Sequence, residues 1–465
     1  MINQRGGDGA GIDTSTMFDT TPVLITELHQ GDDAAIVESS MLGDSTDLIN
    51  DQAPEPPVLN SKLLSGADQI TGQPIAHAHE ETMDRPVLDD MTLDSLLSRQ
   101  LDDAILNRQE LRELLLTAGR DGITNDELDD LQSLQPSLPT YLNQETKQYE
   151  SYLFNAVVGG NPANQWWTGG QSTRTTLGNL QAGSSQEHMT SLVNKWYGGL
   201  DRPSNFVEDQ GRRTYFDYGT MNGSLFVDGI NGYDINQGKA GTCYLLSSAI
   251  AIANNQPDII QNNFVDNGDG TYGVRFYRHD NGQAIWTTVD NQVPTDDHST
   301  SFASGNHSRT LQGETWVALL EKAYAQANEI GGFLRHTSLN GRNSYASIEG
   351  GQGEPLFHIS GRPFQSIRLD PDNHVQRDAI IDLAQQGKNF YLGSNAHTTD
   401  VEGKVNFIPS HAYTMTGYNT DTGTFTIMNP WGAENAYSDH NHTFTSTWTQ
   451  LTESNPGARV FWLKD

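Results

Sequence analysis

Residues 234–246, Asp-Ile-Asn-Gln-Gly-Lys-Ala-Gly-Thr-Cys-Tyr-Leu-Leu, decide how the rest of the chain is read. Cys243 is the only cysteine among 465 residues. Gln237, Gly238 and Gly241 precede it, and the apolar run Tyr244, Leu245, Leu246, Ala249, Ile250, Ile252 follows. Glycines feeding an apolar segment predict a tight loop entering a buried helix. Cys243 then falls in the first helical turn, where unpaired backbone N–H groups and the positive dipole end favour a thiolate. Gln237, six residues upstream, is placed to donate its amide to an oxyanion forming at the cysteine.

Two more motifs lie downstream: Ser410-His411-Ala412-Tyr413 followed by Thr416-Gly417, and Asn429-Pro430-Trp431-Gly432. Together with Gln-Gly-x-x-Gly-x-Cys-Tyr-Leu, in this order, they resemble the calpain family of papain-like cysteine proteases. The likeness covers about residues 213–465 and implies an α+β, papain-like two-lobe fold: a helical lobe with the cysteine (about 213–354) and a β lobe with the histidine and asparagine (about 355–465). It implies Cys243 as nucleophile, His411 as general base then acid, Asn429 as the group orienting the imidazole, and Gln237 as oxyanion donor. Trp431 resembles the tryptophan that shields the His–Asn bond from water.

The chemistry needs these residue types. A thiol attacks a peptide carbonyl well only as thiolate, which a neighbouring imidazolium stabilises. The base must itself be oriented, and a side-chain carbonyl can hold its other N–H. Taken singly, Cys243 reads as a buried structural thiol and His411 as a polar residue at a strand start. Those plain readings fail jointly, because neither predicts the Gln-Gly and Asn-Pro-Trp-Gly contexts. The remaining histidines have no such context, and His440 and His442 read as loop residues. Thr242, Tyr244 and Ser410 depart from the family's usual Asp, Trp and Gly, and none of these changes removes a catalytic group.

The resemblance also implies a calcium switch, with Asp234 matching a family calcium ligand. The second carboxylate expected after Tyr345 is Ala346 here, with Glu349 nearby. The triad itself requires no cofactor. With no penta-EF-hand or C2-like part after the catalytic segment, the chain looks like a minimal, bacterial-type member. The expected activity is a cysteine endopeptidase acting on proteins or peptides. The alternatives are a catalytically silent binding or regulatory protein on the same fold, or a hydrolase of other acyl bonds.

Outward from the motifs, residues 1–88 are acidic and rich in Gly, Ser, Thr and Pro, which predicts a mostly disordered tail. Within it, Thr21–Ile25 could add a strand or dock in a groove, and His77, His79 and Glu80 have loosely metal-like spacing. Residues 89–140 predict a small helical bundle. Leu93, Leu97, Leu101 and Ile105 recur at i+4, and Asn107/Glu110 and Thr124/Glu127 form capping boxes. Its Arg120–Thr124 turn resembles half of an EF-hand loop but has Leu116 and Ala118 where aspartates are needed. Residues 141–212 read as linker and packing segment, with one short helix on Met189, Leu192, Val193 and Trp196. Asp266 and Asp269 read as turn formers of a hairpin over 264–277, and Glu314–Ala325 as an amphipathic packing helix.

Net charge is −32, of which residues 1–150 carry −21. Such a balance repels nucleic acid and anionic membranes. No run of about 18 apolar residues offers a membrane span. The N-terminus lacks the basic start and apolar core of a cleaved signal, so a cytoplasmic protein and one exported without such a signal both fit. The acidic N-terminal half, unnecessary for the chemistry, is expected to regulate or target the protease, and intramolecular inhibition of the cleft is one physical route.

Overall fold

The computed structural model of the chain describes residues 105–209, 212–296, 299–305, 310–333, 341–433 and 439–464. The acidic tail, the Thr21–Ile25 run, the His77/His79/Glu80 spacing and Leu93, Leu97 and Leu101 lie outside the described residues. Helices α1 (Arg108–Ala118) and α2 (Asn125–Leu134) start at capping boxes built by Asn107 with Glu110 and Thr124 with Glu127. Leu111, Leu114, Leu115 and Leu131 are buried, as their spacing requires. The turn between these helices is pinned at Ile123, which donates to Ser184 O at 2.8 Å and accepts from Gly183 N at 2.7 Å.

The stretch read as linker carries two helices, α3 (Lys147–Val158) and α4 (Gln186–Trp196). Both join the later chain through buried polar groups. Tyr149 OH lies 2.8 Å from Thr288 Oγ1, and Lys195 is held between Asp201 and Glu329. A buried ion cluster adds little net stability, but losing one partner typically costs about 3–5 kcal/mol. Its effect is therefore to fix where α4 sits.

Helix α5 (Cys243–Asn255) buries every residue from Tyr244 to Ala253. A helix apolar on all sides must be covered on all sides. Antiparallel strands β1 (Phe264–Asp266), β2 (Thr271–Tyr277) and β3 (Ala284–Asp290) follow it. In their first turn Asp266 and Asp269 accept from Gly268 N and Thr271 N, the turn-forming role read from the sequence. Helix α6 (Trp316–Ala327) corrects the amphipathic reading, since all twelve of its residues are buried. Its two charged side chains point inward to partners: Lys322 to Asp290, and Glu321 to Thr242 and Ala303.

After α7 (Pro355–Ser360) the chain builds a six-stranded antiparallel sheet. Its strands are β4 (Phe364–Arg368), β5 (Phe390–Ser394), β6 (His411–Asn419), β7 (Thr424–Met428), β8 (Thr443–Thr447) and β9 (Arg459–Leu463), in the order β4-β9-β5-β6-β7-β8. Helix α8 (His374–Gln385) lies between β4 and β5 in sequence. Period-two alternation sorts the faces. Phe390, Leu392, Tyr413, Met415, Phe425, Ile427, Val460 and Trp462 join Ile380 and Ala384 of α8 in one apolar cluster. On β6, Ala412 and Thr414 alternate with that set, and Thr414 Oγ1 donates to Ser247 O of α5 at 2.7 Å. The cysteine helix is thereby seated against the strand that begins with the histidine.

Candidate active site

Cys243 opens α5, and His411 opens β6 one residue before Ala412. Asn429 follows the last residue of β7. Strand β7 pairs with β6 so that Thr414 faces Met428. Continuing that register past the strand end brings Trp431 opposite His411, and their ring centroids are 4.9 Å apart. The sheet register, more than any local motif, places these two rings together.

His411 Nε2 and Asn429 Oδ1 are 2.9 Å apart, and both residues are buried. Trp431 N also donates to Asn429 Oδ1, at 3.1 Å. A backbone N–H can only donate, so the Asn429 atom facing both groups is the carbonyl oxygen. His411 must then carry its proton on Nε2, leaving Nδ1 as the basic nitrogen. Asn429 N donates to His442 O at 2.7 Å, which ties the turn to the chain beyond it.

The cysteine loop is fastened to the same turn, because Gln237 N donates to Pro430 O at 2.8 Å. Gln237 Nε2 donates to Ala240 O at 2.8 Å within the loop. Two motif glycines are demanded by close approach. A Cβ on Gly238 would lie 2.3 Å from Ser301 O, and one on Gly432 would lie 2.0 Å from Asn236 Oδ1. Ser410 stands where a glycine would be easiest, at φ 54°, so the residue before the histidine is in the left-handed region.

Burial pushes the Cys243 thiol up, against the amides of Ala412, Tyr244 and Cys243 itself, which favour the thiolate. The residue keeps part of its surface open, yet its sulfur is enclosed enough for desolvation to win. Burial drives His411 down to about 4, against its bond to Asn429 and helped by the charge of His440. Among the described residues no hydrogen bond joins the thiol to the His411 ring. The helix-terminal amides expected to favour a thiolate are present, and burial opposes charge on both Cys243 and His411.

A family model described as "Calpain family cysteine protease" matches residues 194–460. The chain belongs to the calpain family. Calpain clp-1 of Caenorhabditis elegans is 26% identical over 254 residues, covering 50% of this chain and 29% of the relative. Rat Calpain-9 is 27% identical over 231 residues, covering 45% of this chain and 30% of its own. The calpain-type cysteine protease DEK1 of Zea mays is 26% identical over 260 residues, covering 51% of this chain and 11% of its own. The chain thus spans less than a third of the length of these curated relatives.

The calcium ligand suggested by the calpain likeness is occupied otherwise. Asp234 is buried, and its carboxylate accepts from Asn231 N at 2.8 Å and Asn231 Nδ2 at 2.9 Å, capping a short 3-10 turn. Ala346 is buried, and Glu349 packs its Cβ and Cγ toward Gly241. Among the described residues no group of three or more His, Cys, Asp or Glu is gathered to hold a metal ion. Among the described residues, no helix is long and apolar enough to cross a membrane.

His440, outside the motifs, meets Trp431 edge-to-face with ring centroids 4.8 Å apart, and Trp431 in turn lies against His411. Its register, opposite Val405 outside any named strand, left no sequence signal.

Proposed function

We propose that this chain is a cysteine endopeptidase of papain-like two-lobe plan, with Cys243, His411, Asn429 and Gln237 as its working groups. One observation carries the reading: all three motifs, far apart in sequence, are tied together by the bonds Gln237 N to Pro430 O and His411 Nε2 to Asn429 Oδ1. In this reading a peptide carbonyl approaches Cys243, and the thiol proton passes to His411 Nδ1 as sulfur attacks. The oxyanion is received by the Cys243 N–H at the helix start and by the Gln237 amide. The bond from Gln237 Nε2 to Ala240 O fixes the direction of that side chain within the loop. The imidazolium, held by Asn429, gives its proton to the leaving amine, and water then releases the acyl group by the same steps reversed.

A thiol and an imidazole with no hydrogen bond between them fit this scheme, because apo catalytic contacts often tighten only when substrate binds. A silent binding protein on this fold would have no chemical use for an oriented imidazole beside a cysteine. Incubation with unfolded casein tests the reading: new N-termini should appear with wild type and not with Cys243→Ala. Stable casein with cleavage of small thioesters or cell-wall amides would redirect it to another acyl hydrolase.

We assign the residues of the acidic N-terminal half a regulatory role, on the net charge of −21 over residues 1–150 and because the triad chemistry does not need them. Deleting them should raise turnover per molecule, and unchanged turnover and Michaelis constant would remove that role.

A further inference from the structure

Glu321 lies in the middle of α6, buried, with no cationic partner at its carboxylate. Both oxygens accept hydrogen bonds from outside its own helix. Thr242 Oγ1 donates to Oε1 at 2.5 Å, and Ala303 N donates to Oε2 at 2.9 Å. Thr242 immediately precedes Cys243, and Ala303 belongs to the segment beneath the cysteine loop. That loop rests on the segment along its length. Asn236 and Ser304 exchange backbone bonds of 3.1 and 2.9 Å, and Lys239 N donates to Ser301 O at 2.9 Å. Gly238 contacts the same backbone so closely that no Cβ fits.

Thr242 is the N-cap of α5, yet its side chain makes no cap bond to the helix. A threonine at this position normally spends its hydroxyl on the N2 or N3 amide. Here the hydroxyl is diverted to Glu321. A carboxylate buried without a cation is costly, and an apolar residue of its size would pack more cheaply. Its presence at this point is explained by what it ties together. The loop from Asn236 to Thr242 is fixed at its start by Ser304 and at its end by Glu321, and Gln237 and Cys243 sit at those two ends.

We propose that Glu321, acting through Thr242, is a positioning residue that sets the spacing between the Gln237 amide and the Cys243 N–H. The inference rests on the peptidase reading above. It places the clamp behind the site, touching neither substrate nor reacting atoms. Oxyanion donors must sit within hydrogen-bond reach of the developing charge, so slack in this loop reduces turnover more than ground-state binding.

The test uses the full chain and normalises every rate to Cys243 titrated by an irreversible thiol reagent. Thr242→Val keeps the side-chain shape and removes the hydroxyl. It should lower kcat by about 10- to 100-fold with KM within about threefold. Glu321→Leu should do the same, and the double variant should be no slower than either single one, because both cut one link. Glu321→Gln should restore most of the turnover. Its carbonyl can accept from Ala303 N while its NH2 donates to Thr242 Oγ1, whose proton can turn to Ala240 O, 3.5 Å away. Thr242→Val with wild-type kcat, or a loss confined to KM, overturns the clamp. So does additivity in the double variant, or a Glu321→Gln as slow as Glu321→Leu. Glu321→Leu that only lowers Tm leaves a structural role and also overturns it. Wild type without Cys243-dependent turnover is a different result, visible before any variant is made, and it removes the peptidase reading and the clamp together.

Discussion

His411 Nε2 lies 2.9 Å from Asn429 Oδ1, and the backbone N–H of Trp431 fixes that oxygen's identity from its other side. The pair decides the tautomer of a buried imidazole, and with it which nitrogen can act as base. Around it, Trp431 covers the ring face and the sheet register keeps the turn in place.

Removing the orienting carbonyl should therefore cost turnover. Asn429→Ala leaves a buried ring N–H without its acceptor, a loss of about 1–3 kcal/mol. If that loss is felt in the transition state, kcat/KM should fall about 10- to 100-fold. Steady-state kinetics on an unfolded protein substrate checks it, and an unchanged kcat/KM would show that the imidazole is oriented by something else.

Burial of Cys243 and His411 makes a pH prediction. The thiol is held above its ordinary value and the imidazole near 4. At neutral pH the unliganded protein should therefore contain less thiolate than a free cysteine. Its iodoacetamide labelling rate should keep rising through pH 9. A plateau of fast labelling from pH 5 to 8 would reveal a resting thiolate–imidazolium pair and contradict the assignment.

Glu321 should shape stability as well as catalysis. Burial raises its carboxyl from 4.5 to about 7, so between those values the folded chain keeps a proton that the unfolded chain has lost. Its contribution to stability is then lost as pH rises from about 4.5 to 7, by an amount on the order of 3 kcal/mol. Glu314, raised to about 7 by its own burial and by Asp234 and Asp228, acts in the same direction. Denaturant midpoints should show Glu321→Gln gaining on wild type as pH rises over that window. Parallel pH curves for the two proteins would refute the shift.

Chelation should have little effect. With Asp234 capping the Asn231 turn, excess chelator should leave turnover unchanged. Asp234→Ala should cost about 1 kcal/mol of stability through the lost cap. Activity lost to chelator, restored by calcium and insensitive to calcium in Asp234→Ala, would reinstate the metal.

Much of this site was legible because its motif residues answer steric and tautomeric demands that leave few substitutes. Gly238 and Gly432 are forced by contacts shorter than any Cβ allows, and Asn429 by the bond to His411. The strands were legible because they are rich in β-branched and aromatic residues and bounded by Gly, Asn and Asp, as in Phe390–Ser394 and Thr424–Met428. What escaped depends on tertiary partners. Glu321 and Lys322 are two adjacent charges in a helical pattern, which on their own predict a solvated stripe. Only the positions of Thr242, Ala303 and Asp290 turn them inward. Helix α3 was hidden in a stretch rich in Gly and Asn, although Tyr149, Leu153, Phe154 and Val157 follow helical spacing and are all buried. The opposed shifts of Cys243 and His411 follow from enclosure, which no motif encodes.

The most direct test of the central claim is covalent. Wild type and Cys243→Ala would be treated with a peptidyl reagent that alkylates nucleophilic thiols, and intact mass would be followed beside hydrolysis of unfolded casein. The account predicts one adduct on Cys243 of the wild type, with hydrolysis lost in proportion to labelling, and neither adduct nor hydrolysis in Cys243→Ala. Hydrolysis that survives in Cys243→Ala, or in fully labelled wild type, would contradict it.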